Sequence, residues 1–254
     1  MATETEQPKK RRKLEPSFAY DPFDVGKGDL LTSWSNRSPE AVVTFLIGPG
    51  DSPKKFIVHK EHACHHSPIL NAAFNGNFVE GQTQTYRIED TSPGAFRLFV
   101  QWLYRQKLDV FQLRSSPVEG DDESDNCHIE DMELAELWVL ADKMAVPALQ
   151  NRVISKIIAV REKTKVAPIR TLCYIYQRTA TDSQLRRLMV SEVANFQPGW
   201  SFSSPKVAQL LPHAFLVEMA QYTMARLRKD NKYKAKASEF FVPLPGEEKA
   251  PGGS

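Results

Sequence analysis

The sequence predicts an α+β fold: a small β-sheet flanked by a cluster of helices, followed by an all-helical extension. Three observations predict it. Residues 41–48 (AVVTFLIG) are rich in β-branched side chains and stop at Gly48-Pro49-Gly50, the pattern of a buried strand closed by a turn. Residues 54–59 (KKFIVH) then read as the return strand of a hairpin, and residues 83–88 (TQTYRI) as a third strand. From Lys165 to Lys236 only helical periodicity remains.

The helical elements follow in order. Helical character begins at Lys60. Ser67-Pro68 reads as an N-cap with proline at the first helical position. Ile69, Leu70, Ala73 and Phe74 give that helix one apolar face, and Gly76 and Asn77 end it. Asp90-Thr91-Ser92-Pro93 starts another helix, whose face is Phe96, Phe99, Val100, Leu103 and Tyr104 at steps of three and four. Residues 130–144 repeat the pattern with Met132, Leu134, Leu137, Trp138 and Ala141, until Val146-Pro147 breaks it. Leu149, Val153, Ile157 and Ile158 continue on the next helix. Three more are expected at 169–178, 181–194 and 205–227, the last interrupted near Pro212.

At 254 residues, with 41% hydrophobic and 25% charged residues, the composition excludes wholesale disorder. The longest apolar runs, at 42–48 and 214–217, fall far short of the roughly 20 residues that a membrane helix needs. The N-terminal MATETEQPKKRRK has no apolar core after its basic cluster and does not read as a secretory signal. Cys64, Cys127 and Cys173 are odd in number and widely spaced, which argues against a disulfide framework and fits a reducing compartment.

A net charge of +2 hides a strong segregation. Lys9, Lys10, Arg11, Arg12 and Lys13 form an unbroken basic run after Pro8, so residues 1–17 read as a disordered basic tail. Its functional reading is a nuclear-import signal, held by the acidic groove of an import carrier. The plain alternative is a tail that binds nucleic acid or nothing. Asp121, Asp122, Glu123 and Asp125 place an exposed acidic loop at residues 115–130. Arg226, Arg228, Lys229, Lys232, Lys234 and Lys236 read as the polar end of a helix, favoured by its dipole, rather than as a second electrostatic contact. Residues 18–40 carry Pro22, Gly26, Gly28 and Pro39 without a clear period, and residues 239–254 read as a flexible tail.

Several blocks together resemble the BTB/POZ interaction domain. Phe56-Ile57-Val58-His59-Lys60 resembles its strand-then-histidine signature. Ser67-Pro68-Ile69-Leu70 with Phe74 resembles its "serine-proline, then buried apolar" helix. Tyr86-Arg87-Ile88-Glu89-Asp90, followed by Pro93, Ala95 and Phe96, resembles the third strand and the helix after it, and Trp102-Leu103-Tyr104 that helix's apolar end. Leu137, Leu140, Ala141, Asp142, Lys143 and Leu149 resemble the late "leucine-alanine-aspartate-lysine" helix pair. The resemblance places a BTB/POZ-like domain at residues 41–162, interrupted by the acidic loop, with a helical extension at 163–238. This layout is similar to BTB proteins of filamentous fungi.

The resemblance implies protein partners and self-association through the BTB domain. The Pro and Gly content of residues 18–40 weighs against a strand-exchanged dimer. BTB proteins that recruit a cullin-type ubiquitin-ligase scaffold repeat an apolar residue, any residue, then glutamate after the serine-proline helix, and Phe78-Val79-Glu80 matches. Two arrangements are open: Phe78 points outward as an anchor with Glu80 fixing orientation, or it folds back onto its own domain.

Chemistry is sparse. His59, His62, Cys64, His65 and His66 crowd five potential ligands into eight residues. A strand end followed by a helical turn fans them outward, and no second half completes a tetrahedral site. The resemblance makes His59 structural. Gly48-Pro49-Gly50 lacks the lysine-serine pair of a phosphate loop, and Cys173 lies in an apolar helical pattern. No catalytic residue, metal or cofactor is expected. The leading expectation is a nuclear, non-enzymatic interaction module that acts as an adaptor for a cullin-based ubiquitin ligase. Its rival is a transcription or chromatin factor that contacts nucleic acid through basic segments. Against the rival, no zinc finger, helix-turn-helix or basic zipper is visible.

Overall fold

A computed structural model describes residues 40–114, 123–196, 207, 211–227 and 236–243. All of them belong to Pro39–Ser254, one of the two units into which the chain divides. The basic run at Lys9–Lys13, residues 18–39, residues 115–122 of the acidic segment, Arg228, Lys229, Lys232, Lys234 and residues 244–254 lie outside the described residues.

Strand β1 (Val42–Ile47) is the centre of a three-stranded sheet of order β2-β1-β3. It pairs antiparallel with β2 (Lys54–His59) and parallel with β3 (Thr85–Ile88). Alternation decides the faces: Val43, Phe45 and Ile47 are buried, and register places Val58 and Phe56 beside Val43 and Phe45. Helices α1 (Lys60–His66), α2 (Pro68–Asn75), α3 (Val79–Thr83) and α4 (Pro93–Arg105) follow or interleave the strands. Phe45 packs on Phe96 at 5.0 Å, on Phe74 at 5.7 Å and on Tyr86 at 6.2 Å between ring centroids. Phe96 in turn meets Phe56 at 4.9 Å and Phe99 at 5.5 Å. The sheet side of the molecule is thus held by an aromatic cluster in edge-on and tilted contacts.

Beyond a 3₁₀ turn at Phe111–Leu113, helices α5 (Glu123–Lys143) and α6 (Pro147–Thr164) form the late pair, and α7 (Leu172–Arg178), α8 (Gln184–Phe196) and α9 (His213–Leu227) extend it. Both Ser-Pro pairs are caps and clasps at once. Ser67 Oγ accepts from Leu70 N and donates to the Met144 carbonyl at 2.7 Å. Ser92 Oγ accepts from Ala95 N, while its own N–H donates to Glu136 at 2.8 Å. Asp90 pairs with Lys143 and, at 3.2 Å, with Arg178. Burial pushes the Asp90 carboxyl up, yet the two cations hold it below the usual carboxylate range.

The acidic segment departs from expectation. Helix α5 starts at Glu123, so residues 123–130 are helical rather than loop. The reason is tertiary. Glu130 accepts from the Phe111 and Gln112 amides at 2.5 and 2.9 Å, and the Gln112 side chain donates to Asp131 and to the Cys127 carbonyl. Those bonds hold the helix to the 3₁₀ turn, and a helix turn stabilised by polar contacts shows no apolar period. A second departure is at residues 83–84. The third strand begins at Thr85, because Val79–Thr83 forms α3 and Gln84 turns left-handed at φ 50°.

The extension is held differently. Arg161 on α6 and Glu192 on α8, with side chains 3% and 0% exposed, form a buried ion pair. The Arg161 guanidinium also lies 3.9 Å from the Phe196 ring centroid. Arg186 donates to the Tyr176 carbonyl at 2.7 Å and stacks over the Tyr176 ring, closing the end of α7.

Candidate functional site

The site is a knuckle between α2 and β3. Ser67 fixes the start of α2, and Gly76 N–H bonds the Ala72 carbonyl at its end. A Cβ on Gly76 would lie 2.5 Å from the Ala72 oxygen, and one on Gly81 would lie 2.2 Å from the Gly76 oxygen. Helix α3 therefore sits against the end of α2 at a separation that glycine alone permits. Phe78 is the N-cap of α3, and its carbonyl receives Gly81 N at 3.0 Å and Gln82 N at 3.2 Å. Gln84 reaches back to the Gly81 carbonyl at 2.6 Å and the Phe74 carbonyl at 3.2 Å, and Lys60 Nζ also donates to Phe74 at 3.0 Å.

The consequence is a rigid turn that presents apolar surface. Phe78 is 63% exposed, and Val79, at 69%, is the most exposed large apolar side chain among the described residues. Of the two arrangements left open by the sequence, Phe78 takes the outward one. Glu80 is half-buried. Burial pushes the Tyr86 hydroxyl up, and the Glu80 charge adds to that shift. An apolar pair beside a half-buried glutamate has the makings of a binding anchor with a polar guide.

The histidine cluster divides in two. The Tyr104 hydroxyl receives the His59 N–H at 3.0 Å and shares a second hydrogen bond of 2.7 Å with His59 Nδ1, while His62 packs on the Tyr104 ring. His66 packs on Trp102 at 5.0 Å, and its Nε2 accepts from the Gln106 amide at 2.9 Å. Burial lowers the His66 pKa to about 4 and also lowers that of His62. Among the described residues no three His, Cys, Asp or Glu side chains come together as a metal site. No disulfide joins Cys64, Cys127 and Cys173. Cys173, which lies in an apolar helical pattern in the sequence, is half-buried on α7. The sequence reading singled out neither Arg161 nor Glu192. Their signal was a charge inside an otherwise apolar helical stripe, which is costly unless paired.

Comparison with known proteins bears on the domain as a whole. A family model described as BTB/POZ domain matches residues 37–159. A 75-residue stretch is 32% identical to BTB/POZ domain-containing protein 6 of Xenopus tropicalis. A 75-residue stretch is 28% identical to BTB/POZ domain-containing protein 6-B of Danio rerio. The matches cover 30% of this chain but 14% and 15% of those relatives, so the likeness spans about a seventh of their length. No helix of the described residues is long and apolar enough to cross a membrane. The sheet, the two Ser-Pro clasps and the late helix pair at residues 37–159 are thus those of a BTB/POZ domain, a protein–protein interaction module.

Proposed function

We propose that the chain is a non-enzymatic adaptor that docks a cullin-type ubiquitin-ligase scaffold through Phe78, Val79 and Glu80, and that it works in the nucleus. The observation that carries this reading is the knuckle: two adjacent large apolar side chains stand in solvent on a turn stiffened by close backbone approach. Exposed apolar groups on a rigid support lose little entropy on binding. The extension helices enlarge the surface available to a substrate. The basic run Lys9–Lys13 supports nuclear import.

The test is a pull-down of the full chain against a cullin-type scaffold. Phe78→Ala should weaken capture by about 2 kcal/mol or more if the aromatic is a central anchor. Glu80→Ala should weaken it less, as expected of a polar guide. Wild-type protein that captures no such scaffold would rule the adaptor reading out. For localisation, alanine at Lys10, Arg11 and Arg12 should shift the chain to the cytoplasm with an unchanged melting curve. Continued nuclear accumulation would remove the import signal from the proposal.

A further inference from the structure

Asn151 lies in α6, within the stretch where Leu149, Val153, Ile154 and Ile157 are buried, and is itself only 3% exposed. A buried amide in such a stripe is costly unless both its donor and its acceptor are satisfied. Here they are satisfied by a piece of backbone. Asn151 Nδ2 donates to the Val242 carbonyl at 2.7 Å, and Asn151 Oδ1 accepts the Val242 N–H. One side chain thereby reads both backbone polar groups of one residue, as a neighbouring strand would.

The segment so held is short. Ala237–Phe240 makes one 3₁₀ turn, after which Phe241 is extended at φ −73°, ψ 143°. Phe240 is buried, and Phe241 and Val242 pack partly against the core. Beside Phe240 opens a cavity of about 440 Å³, lined among others by Val190, Tyr222, Arg187 and Arg226. Glu239 also lines it. Burial pushes the Glu239 carboxyl up, and Arg226 and Arg187 act against that.

The geometry points to a peptide-binding groove on α6, α8 and α9, which the chain's own residues 236–243 occupy in cis and which an extended segment of a partner protein takes by displacing them. Three features define the segment it accepts: a carboxylate at the cavity that Arg187 and Arg226 also line, an aromatic in the Phe240 position, and an apolar residue whose backbone Asn151 holds. Backbone reading by one amide sets no side-chain identity there, so specificity rests on the aromatic and the acid. The free cavity volume beside Phe240 accepts an aromatic larger than phenylalanine. A tethered segment competes at an effective concentration of order millimolar, so a partner engages only when its own segment fits better or the strap is released.

The test uses the full chain and a labelled synthetic peptide of residues 236–243 (KASEFFVP), with binding followed by fluorescence anisotropy. Phe240→Ala weakens the internal competitor and should raise peptide affinity about tenfold or more over wild type. Adding Asn151→Asp, which keeps the acceptor and deletes the donor, should abolish that gain. In wild-type protein the Val242 amide should exchange hydrogen well before the amides of α6. Any of five results overturns the proposal: no peptide binding by Phe240→Ala; unchanged binding when Asn151→Asp is added; loss of the fold in Phe240→Ala, or equal protection of Val242 and α6, either of which makes the strap a fixed part of the core; or a wild-type dimer that Phe240→Ala converts to monomer, which makes the occupant a second copy.

Discussion

The two halves of the molecule solve the same packing problem with different materials. On the sheet side, Phe45, Phe56, Phe74, Phe96 and Phe99 fill the space between strands and helices. In the extension, the contact between α6 and α8 carries a buried guanidinium and a buried carboxylate. An aromatic cluster tolerates error, because each ring has several neighbours and apolar surface is non-directional. A buried ion pair does not, because deleting either partner strands a charge away from water. The family match ends at residue 159, and Arg161 lies just beyond it. The ion pair is thus one of the ties between domain and extension, beside Asp90–Arg178, and the one whose two charges are both buried.

That contrast is open to direct attack, and the largest effect should come from the ion pair. Glu192→Leu should destabilise the chain by about 3–5 kcal/mol in urea unfolding, whereas Arg161→Met with Glu192→Leu should recover most of the loss. A single variant that costs less than about 1 kcal/mol would erase the distinction between the two regions.

Next in size is a dependence on pH from the sheet side. The unfolded chain protonates His66 near 6.5 and the folded chain near 4. Between those values the unfolded state binds more protons, so stability falls as pH drops from 7 toward 4. The upper limit is about 3 kcal/mol, from about 1.4 kcal/mol per pH unit. His66→Gln should flatten that part of the stability curve. An identical slope in the variant would assign the effect to another group.

The smallest effects belong to apolar side chains, and they separate core from knuckle. Phe96→Leu keeps most of the buried volume and should cost about 1 kcal/mol. Phe78→Ala removes a whole ring, yet should change stability by less than about 0.5 kcal/mol because the ring stands in solvent. A loss of about 3 kcal/mol in Phe78→Ala melting would mean that the ring is packed.

How much of this was legible in the sequence depended on the kind of interaction. The strands at Val42–Ile47 and Lys54–His59 and the Ser67 cap are local, and period or cap chemistry specifies them. The tight turn that carries Phe78 rests on the close approach of Gly81 to Gly76, which two glycines hint at without fixing. The helical start at Glu123 was not legible, because it rests on amides at Phe111 and Gln112 rather than on an apolar face. Asn151 was invisible for the same reason: its partner, Val242, is 91 residues away.

The Ser67 clasp bears on how the chain is made. Its hydroxyl needs the carbonyl of Met144, a residue 77 positions later. At roughly 5–20 residues per second, a ribosome takes about 4–15 s to cover that stretch. Throughout that interval the hairpin and α2 have left the exit tunnel without the α5 end that closes over them. The sheet side is consequently a late-maturing unit during synthesis, with its phenylalanines accessible to holding chaperones until the late helix pair emerges.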